Sequence, residues 1–246
     1  MHYWEKLALC GTLAAIVFAG VAGIAQATPT AVVSIDGVDF PVSGWTWNPV
    51  DNQWELDEQV YTTPDGEVKL TGAGDPDPAH IYTFGATDFG APSTFTYTFT
   101  MPIVPTGPLT TVLASISGGL GDFSGNGVSL TPTQPDEDGD GSMETQIARV
   151  GPPTTNMGVD VGLAQSHGPG LPGANYVYGP YGDGPQPGPT GIWTSLMVST
   201  QFMLSGGNDT ASLTGFAQIE TVPEPSSFVL LALAGLGLAA YRLRRR

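Results

Sequence analysis

Apolar and polar residues alternate along much of the chain with a period of two. The clearest run is Thr94-Phe95-Thr96-Tyr97-Thr98-Phe99-Thr100-Met101, with aromatic or apolar side chains on one face and Thr on the other. Successive side chains of a β-strand point to opposite faces, so this run predicts a strand with one packed and one wet face. Residues 31–35 and 38–40 flank Asp36-Gly37, a pair suited to the left-handed positions of a type I′ hairpin. Residues 44–47 and 53–56 flank turn residues 48–52, and residues 59–62 and 67–70 flank Pro64-Asp65-Gly66. Residues 109–117, 195–204 and 211–219 complete the set, the last two joined at Gly206-Gly207-Asn208-Asp209. Short strands separated by turns predict an all-β fold. The expected form is a β-sandwich with jelly-roll-like or Ig-like connections, and a closed barrel is the alternative.

Two stretches break the alternation. Residues 132–144 are acidic, and residues 167–191 are rich in Gly and Pro. Pro lacks the ladder donor and Gly adds backbone entropy, so the second stretch is expected to be a long surface loop without a ladder.

The two ends are apolar for other reasons. In residues 1–27, Lys6 is followed by small apolar residues and then by Ala25-Gln26-Ala27. That order predicts a secretory signal peptide, with signal peptidase leaving Thr28 as the first mature residue. Cys10 is the only cysteine. Leu9 is too bulky for a lipidation site before it. The mature chain then has neither a disulfide nor a thiolate metal site.

At the other end, Val222-Pro223-Glu224-Pro225-Ser226 precedes an uncharged apolar run, and Arg242, Arg244, Arg245 and Arg246 follow it. An apolar run with no polar face predicts a membrane helix, here over residues 227–243, with the Arg cluster on the cytoplasmic side. Fifteen residues from Ser227 to Tyr241 span only about 22 Å at about 1.5 Å each. A hydrocarbon core is about 30 Å thick, so the run is short for a permanent anchor.

This order of parts resembles the PEP-CTERM sorting signal of Gram-negative bacteria. The resemblance implies recognition by exosortase, a membrane protease-transferase that cuts near the Pro-Glu-Pro motif, in bacteria that make exopolysaccharide or biofilm. It covers residues 222–246 and carries no information on the body, residues 28–221.

Charge narrows what the body binds. The chain has a net charge of −16, and its seven basic residues include only Lys69 and Arg149 between the two ends. That balance excludes nucleic acid, whose phosphates need Lys and Arg. An anionic polysaccharide would need a bridging cation.

Three constellations carry candidate chemistry. Asp136, Asp138 and Asp140 alternate ahead of Gly141, like the first half of an EF-hand loop, with Ser142 and Glu144 at the next ligand positions. Position twelve is Ile147 instead of a bidentate Glu, so a Ca2+ site here needs a distant carboxylate; otherwise the loop is a solvated turn. Trp45 and Trp47, two apart on one expected strand face, and Trp54 on its partner would form a sugar-stacking platform if exposed and core if buried. Glu55 and Asp57 share a strand face, but a glycosidase pair needs a cleft; two solvated carboxylates are the plainer reading. His80 follows Asp75-Pro76-Asp77-Pro78 and is expected in a solvated loop; neither it nor His167 has metal-ligand spacing. The function expected from all this is a non-enzymatic, exported surface or matrix protein, structural or adhesive in envelope or biofilm. A carbohydrate-binding module for exopolysaccharide and a secreted polysaccharide hydrolase are the alternatives.

Overall fold

The computed structural model describes residues 27–136, 141–152 and 155–221, together with Leu233, Ala234 and Arg242. The expected signal helix, the sorting motif and nearly all of the expected membrane helix lie outside the described residues. Among the described residues no helix is long and apolar enough to cross a membrane.

Among the described residues fifteen strands follow one another: β1 (Thr30–Ile35), β2 (Val38–Val42), β3 (Thr46–Asn48), β4 (Gln53–Thr62), β5 (Gly66–Asp75), β6 (Ala79–Asp88), β7 (Ser93–Pro102) and β8 (Thr110–Asp122). Then come β9 (Val128–Pro132), β10 (Gln146–Val150), β11 (Asn156–Val161), β12 (Gln165–His167), β13 (Ala174–Pro187), β14 (Ser195–Leu204) and β15 (Thr210–Thr221). All pairings are antiparallel and make two sheets. One runs β11-β10-β14-β7-β1-β2, with β9 also on β14 and β12 on β9. The other runs β13-β8-β15-β6-β5-β4-β3. The sheets do not join into one closed barrel. Their inner faces pack on each other in an all-β, two-sheet arrangement.

Alternation built this core. Phe95, Tyr97, Phe99 and Met101 of β7 are fully buried, as are Tyr82 and Phe84 of β6 and Phe202 of β14. Phe84 of one sheet meets Tyr97 and Phe202 of the other at ring separations of 6.0 and 5.9 Å. Each buried side chain of this size contributes about 1.5–3 kcal/mol. The Asp36-Gly37 turn forms as the pair predicts, with both residues at positive φ.

Polar ties also cross the interior. Tyr82 Oη donates to Gln146 Oε1 at 2.7 Å and meets Thr200 Oγ1; Gln146 Nε2 donates to the Phe216 carbonyl at 3.0 Å. Tyr178 Oη donates to the Leu163 carbonyl at 3.0 Å and pairs with Thr145 Oγ1 at 2.8 Å. Gly215 makes the first tie possible. A Cβ there would sit 2.2 Å from the Tyr82 hydroxyl and ring.

Three expectations are corrected. His80 is not a solvated loop residue. It lies in β6, fully buried, its ring stacked 3.6 Å from Phe99. The Asp-Pro-Asp-Pro turn ends at Pro78, β6 starts at the next residue, and His80, Tyr82, Phe84 and Ala86 then alternate inward. The Gly/Pro stretch does hold a ladder: β13 pairs with β8 from Ala174 to Pro187. Its register slips between Tyr178 and Tyr181 and between Asp183 and Gln186. Pro180 and Pro185 fall in those slips, on an edge strand, where no ladder donor is needed. Residues 53–56 and 59–62 are one strand with an irregularity between Leu56 and Gln59.

Candidate functional site: an open groove on the outer sheet face

The outer face of β4, β5 and β6 carries a polar concavity that coincides with predicted chemistry. Gln53, Glu55 and Asp57 line it from β4, Thr71 from β5, and Ile81 and Thr83 from β6, around an open cleft of about 370 Å³. Register produces this grouping. Glu55 pairs with Ala73, which pairs with Ile81; one step along, Thr71 pairs with Thr83, Thr83 with Thr214, and Thr214 with Ser117. The result is a row of hydroxyls across four strands beside two carboxylates.

Glu55 is held in place and in charge state. Its Oε1 accepts from Asn48 Nδ2 at 2.8 Å and Gln53 Nε2 at 3.0 Å. The Gln53 amide first, and then Asn48, hold its carboxyl below the usual range. At neutral pH it is an anion and a hydrogen-bond acceptor, not a proton donor. The groove thus offers acceptors and hydroxyls, which suits polyhydroxylated ligands.

The three predicted tryptophans do not form one platform. Trp45 precedes β3 and turns inward, only 9% exposed, with its ring 5.3 Å from Phe99. Gly72 admits it, since a Cβ there would lie 3.3 Å from the indole. Trp47 and Trp54 are paired across β3 and β4, half-buried and edge-on at 5.5 Å. Trp54 also packs against the core, on the strand face opposite Gln53 and Glu55. The indoles and the carboxylates therefore do not serve one ligand face.

The acidic loop is described in part. Asp138 and Asp140 lie outside the described residues. Asp136 Oδ2 accepts the Gly141 N–H at 2.9 Å, and Gly141 has a φ of +91°, as a sharp bend requires. Ser142 is half-buried and Glu144 is buried. Among the described residues, no three His, Cys, Asp or Glu side chains are grouped so as to hold a metal ion by themselves. His167 lies in β12, stacked 4.0 Å from Tyr176.

Sequence reasoning missed a second polar grouping, at the end of the same sheet. Asp88, Asp122 and Asp209 are all fully buried there. Their signal was present as Asp at the ends of three apolar runs, but only the ladder brings them together.

A two-sheet, all-β body whose last strand ends at Thr221 is followed directly by the Pro-Glu-Pro tail. The PEP-CTERM protein-sorting motif matches residues 221–246. The chain is therefore an exported protein addressed to exosortase, its processing partner, by a signal at its C-terminal end. A comparison with curated proteins gives no match.

Proposed function

We propose that the body is a non-enzymatic structural or adhesive component of the cell surface or extracellular matrix, delivered and released by exosortase. The observation that carries this reading is the sorting motif at residues 221–246, joined without a linker to a hydroxyl-faced β body. The tail holds the chain at the inner membrane through its short apolar run, with Arg242, Arg244, Arg245 and Arg246 as the stop, until exosortase acts near Pro223-Glu224-Pro225. Intact-mass spectrometry of the protein from its host is expected to show a mature chain that begins at Thr28 and lacks Arg242 to Arg246. A mature surface form that keeps the full tail contradicts it.

The groove supports a second reading, a carbohydrate-binding surface for exopolysaccharide. Gln53, Glu55, Asp57, Thr71 and Thr83 would hydrogen-bond sugar hydroxyls, and Ile81 would supply the apolar contact. Ca2+ at Asp136, Asp138, Asp140, Ser142 and Glu144 would belong to either role by rigidifying the loop. A glycan array run with and without calcium separates the two readings, since binding lost on Glu55→Ala favours the second.

A further inference from the structure

Three aspartates stand in one row at the end of the seven-stranded sheet. The ladder pairs Thr210 of β15 with Thr87 of β6 and with Gly121 of β8. One residue beyond, Asp209 therefore stands between Asp88 and Asp122. Neighbouring strands lie about 4.8 Å apart, and like charges set side by side on them repel. All three residues are fully buried. The body supplies no cation here. Lys69 pairs with Glu67, and Arg149 belongs to β10 of the other sheet.

Two of the three are compensated by backbone. Asp88 accepts the N–H groups of Asn208 and Asp209 on Oδ1 (2.9 and 3.3 Å) and of Gly206 on Oδ2 (3.1 Å). Asp122 accepts Gly125 N–H on Oδ1 at 2.6 Å and Gly127 N–H on Oδ2 at 2.9 Å. Asp209 differs. Its Oδ2 accepts from Ser205 Oγ at 2.5 Å, but its buried Oδ1 has no hydrogen-bond partner. A buried carboxylate oxygen without a partner is costly. Burial, with Asp88 and Asp122 adding to it against the Ser205 hydroxyl, raises Asp209 to about 6.

We propose that Asp209 Oδ1 binds a calcium ion between the loops that follow β6, β8 and β14. The donors at hand are all oxygens, which suits a hard cation and neither zinc nor copper. The loop after Asp122 brings the Asn126 amide and the Ser124 hydroxyl to the turn: a Cβ on Gly207 would lie 2.7 Å from Asn126 Nδ2, 3.0 Å from Ser124 Oγ and 3.2 Å from Asn126 Oδ1. Asp88 and Asp122 hold these loops in shape and make the surroundings negative. The ion takes one carboxylate directly and completes its shell with hydroxyl, amide and carbonyl oxygens and water. One direct carboxylate implies weak affinity, on the order of 10⁻⁴–10⁻³ M, as in extracellular modules.

The test is thermal unfolding and calorimetric titration of the full chain with CaCl₂, MgCl₂ or EDTA. About 2 mM calcium is expected to raise Tm by roughly 3–5 °C, and Asp136→Asn is expected to keep that shift. Asp209→Asn is expected to abolish it and, in EDTA, to melt above the parent, because an amide removes the repelled charge. Exposed Asn126→Ala leaves the fold intact and is expected to weaken calcium binding several-fold. No shift in the parent, a shift retained in Asp209→Asn, one lost in Asp136→Asn, or unchanged affinity in Asn126→Ala each overturns the proposal.

Discussion

Acid should destabilise this protein through His80. Its Nδ1 lies 2.9 Å from the Ala73 carbonyl, which only accepts, so Nδ1 carries the proton. Nε2 then accepts from the Tyr97 hydroxyl at 2.8 Å. Burial holds the imidazole neutral and lowers its pKa to about 3, opposed by the Ala73 hydrogen bond. An unfolded histidine titrates near 6.5, so between about pH 6.5 and 3 the unfolded chain binds a proton that the native chain refuses. The sign follows: this contribution is present above pH 6.5 and is lost as pH falls toward the folded value. The full window amounts to about 5 kcal/mol, of which roughly 2–3 kcal/mol is lost between pH 7.5 and 4.5. His80→Phe keeps a ring over Phe99 but leaves the Ala73 carbonyl and the Tyr97 hydroxyl without their partner, a pH-independent loss of about 1–3 kcal/mol. Urea unfolding followed by tryptophan fluorescence at both pH values measures the gap between parent and variant. Burial raises Asp88 and raises Asp209 to about 6, and their opposite pH response is common to both proteins, so it cancels in the gap. The parent should be the more stable at pH 7.5, and its advantage should vanish or reverse at pH 4.5. A gap that stays constant to within about 0.5 kcal/mol refutes the reasoning.

Two further substitutions test the packing. Gly215→Ala drives a methyl into the Tyr82 hydroxyl and to 2.4 Å from Gln146 Oε1, and is expected to cost about 1–3 kcal/mol or more in urea unfolding. Trp45→Ala should cost about 3–5 kcal/mol because that indole is core, whereas Trp47→Ala should cost less than about half as much, the ring being half-exposed; equal losses would remove the distinction between them.

The chain spelled out its sheets where one face is dry. β7 reads as Phe, Tyr, Phe and Met alternating with Thr, and each of those four is buried. Asp36-Gly37 fixed its hairpin locally, since a two-residue turn needs left-handed backbone at both positions. Reading failed where tertiary context overrode composition. β13 is held by its neighbour β8 despite its Gly and Pro, because an edge strand needs donors on one side only. β6 was hidden behind a Pro-rich turn and a histidine that polarity places outside but stacking on Phe99 places inside. Glu55 and Asp57 were visible as a pair on one strand face, but Thr71 and Thr83 joined them only through register. The aspartate row was invisible for the same reason, being built from residues 34 and 87 positions apart that meet only when β15 enters between β6 and β8.

That entry of β15 has a consequence for export. Until residues 210–221 are through the membrane, the sheet exists as two fragments, β13-β8 and β6-β5-β4-β3, with no common partner. The strand that joins them ends at Thr221, the first residue that the sorting motif matches. Secretion runs from the N-terminus, so the body becomes able to close only as its own address reaches the bilayer. Once closed, a pull on the tail loads a central strand along its length, with ladder hydrogen bonds on both edges sheared together instead of unzipped one by one. A body held by such a tail would resist tension best at the point where it is held.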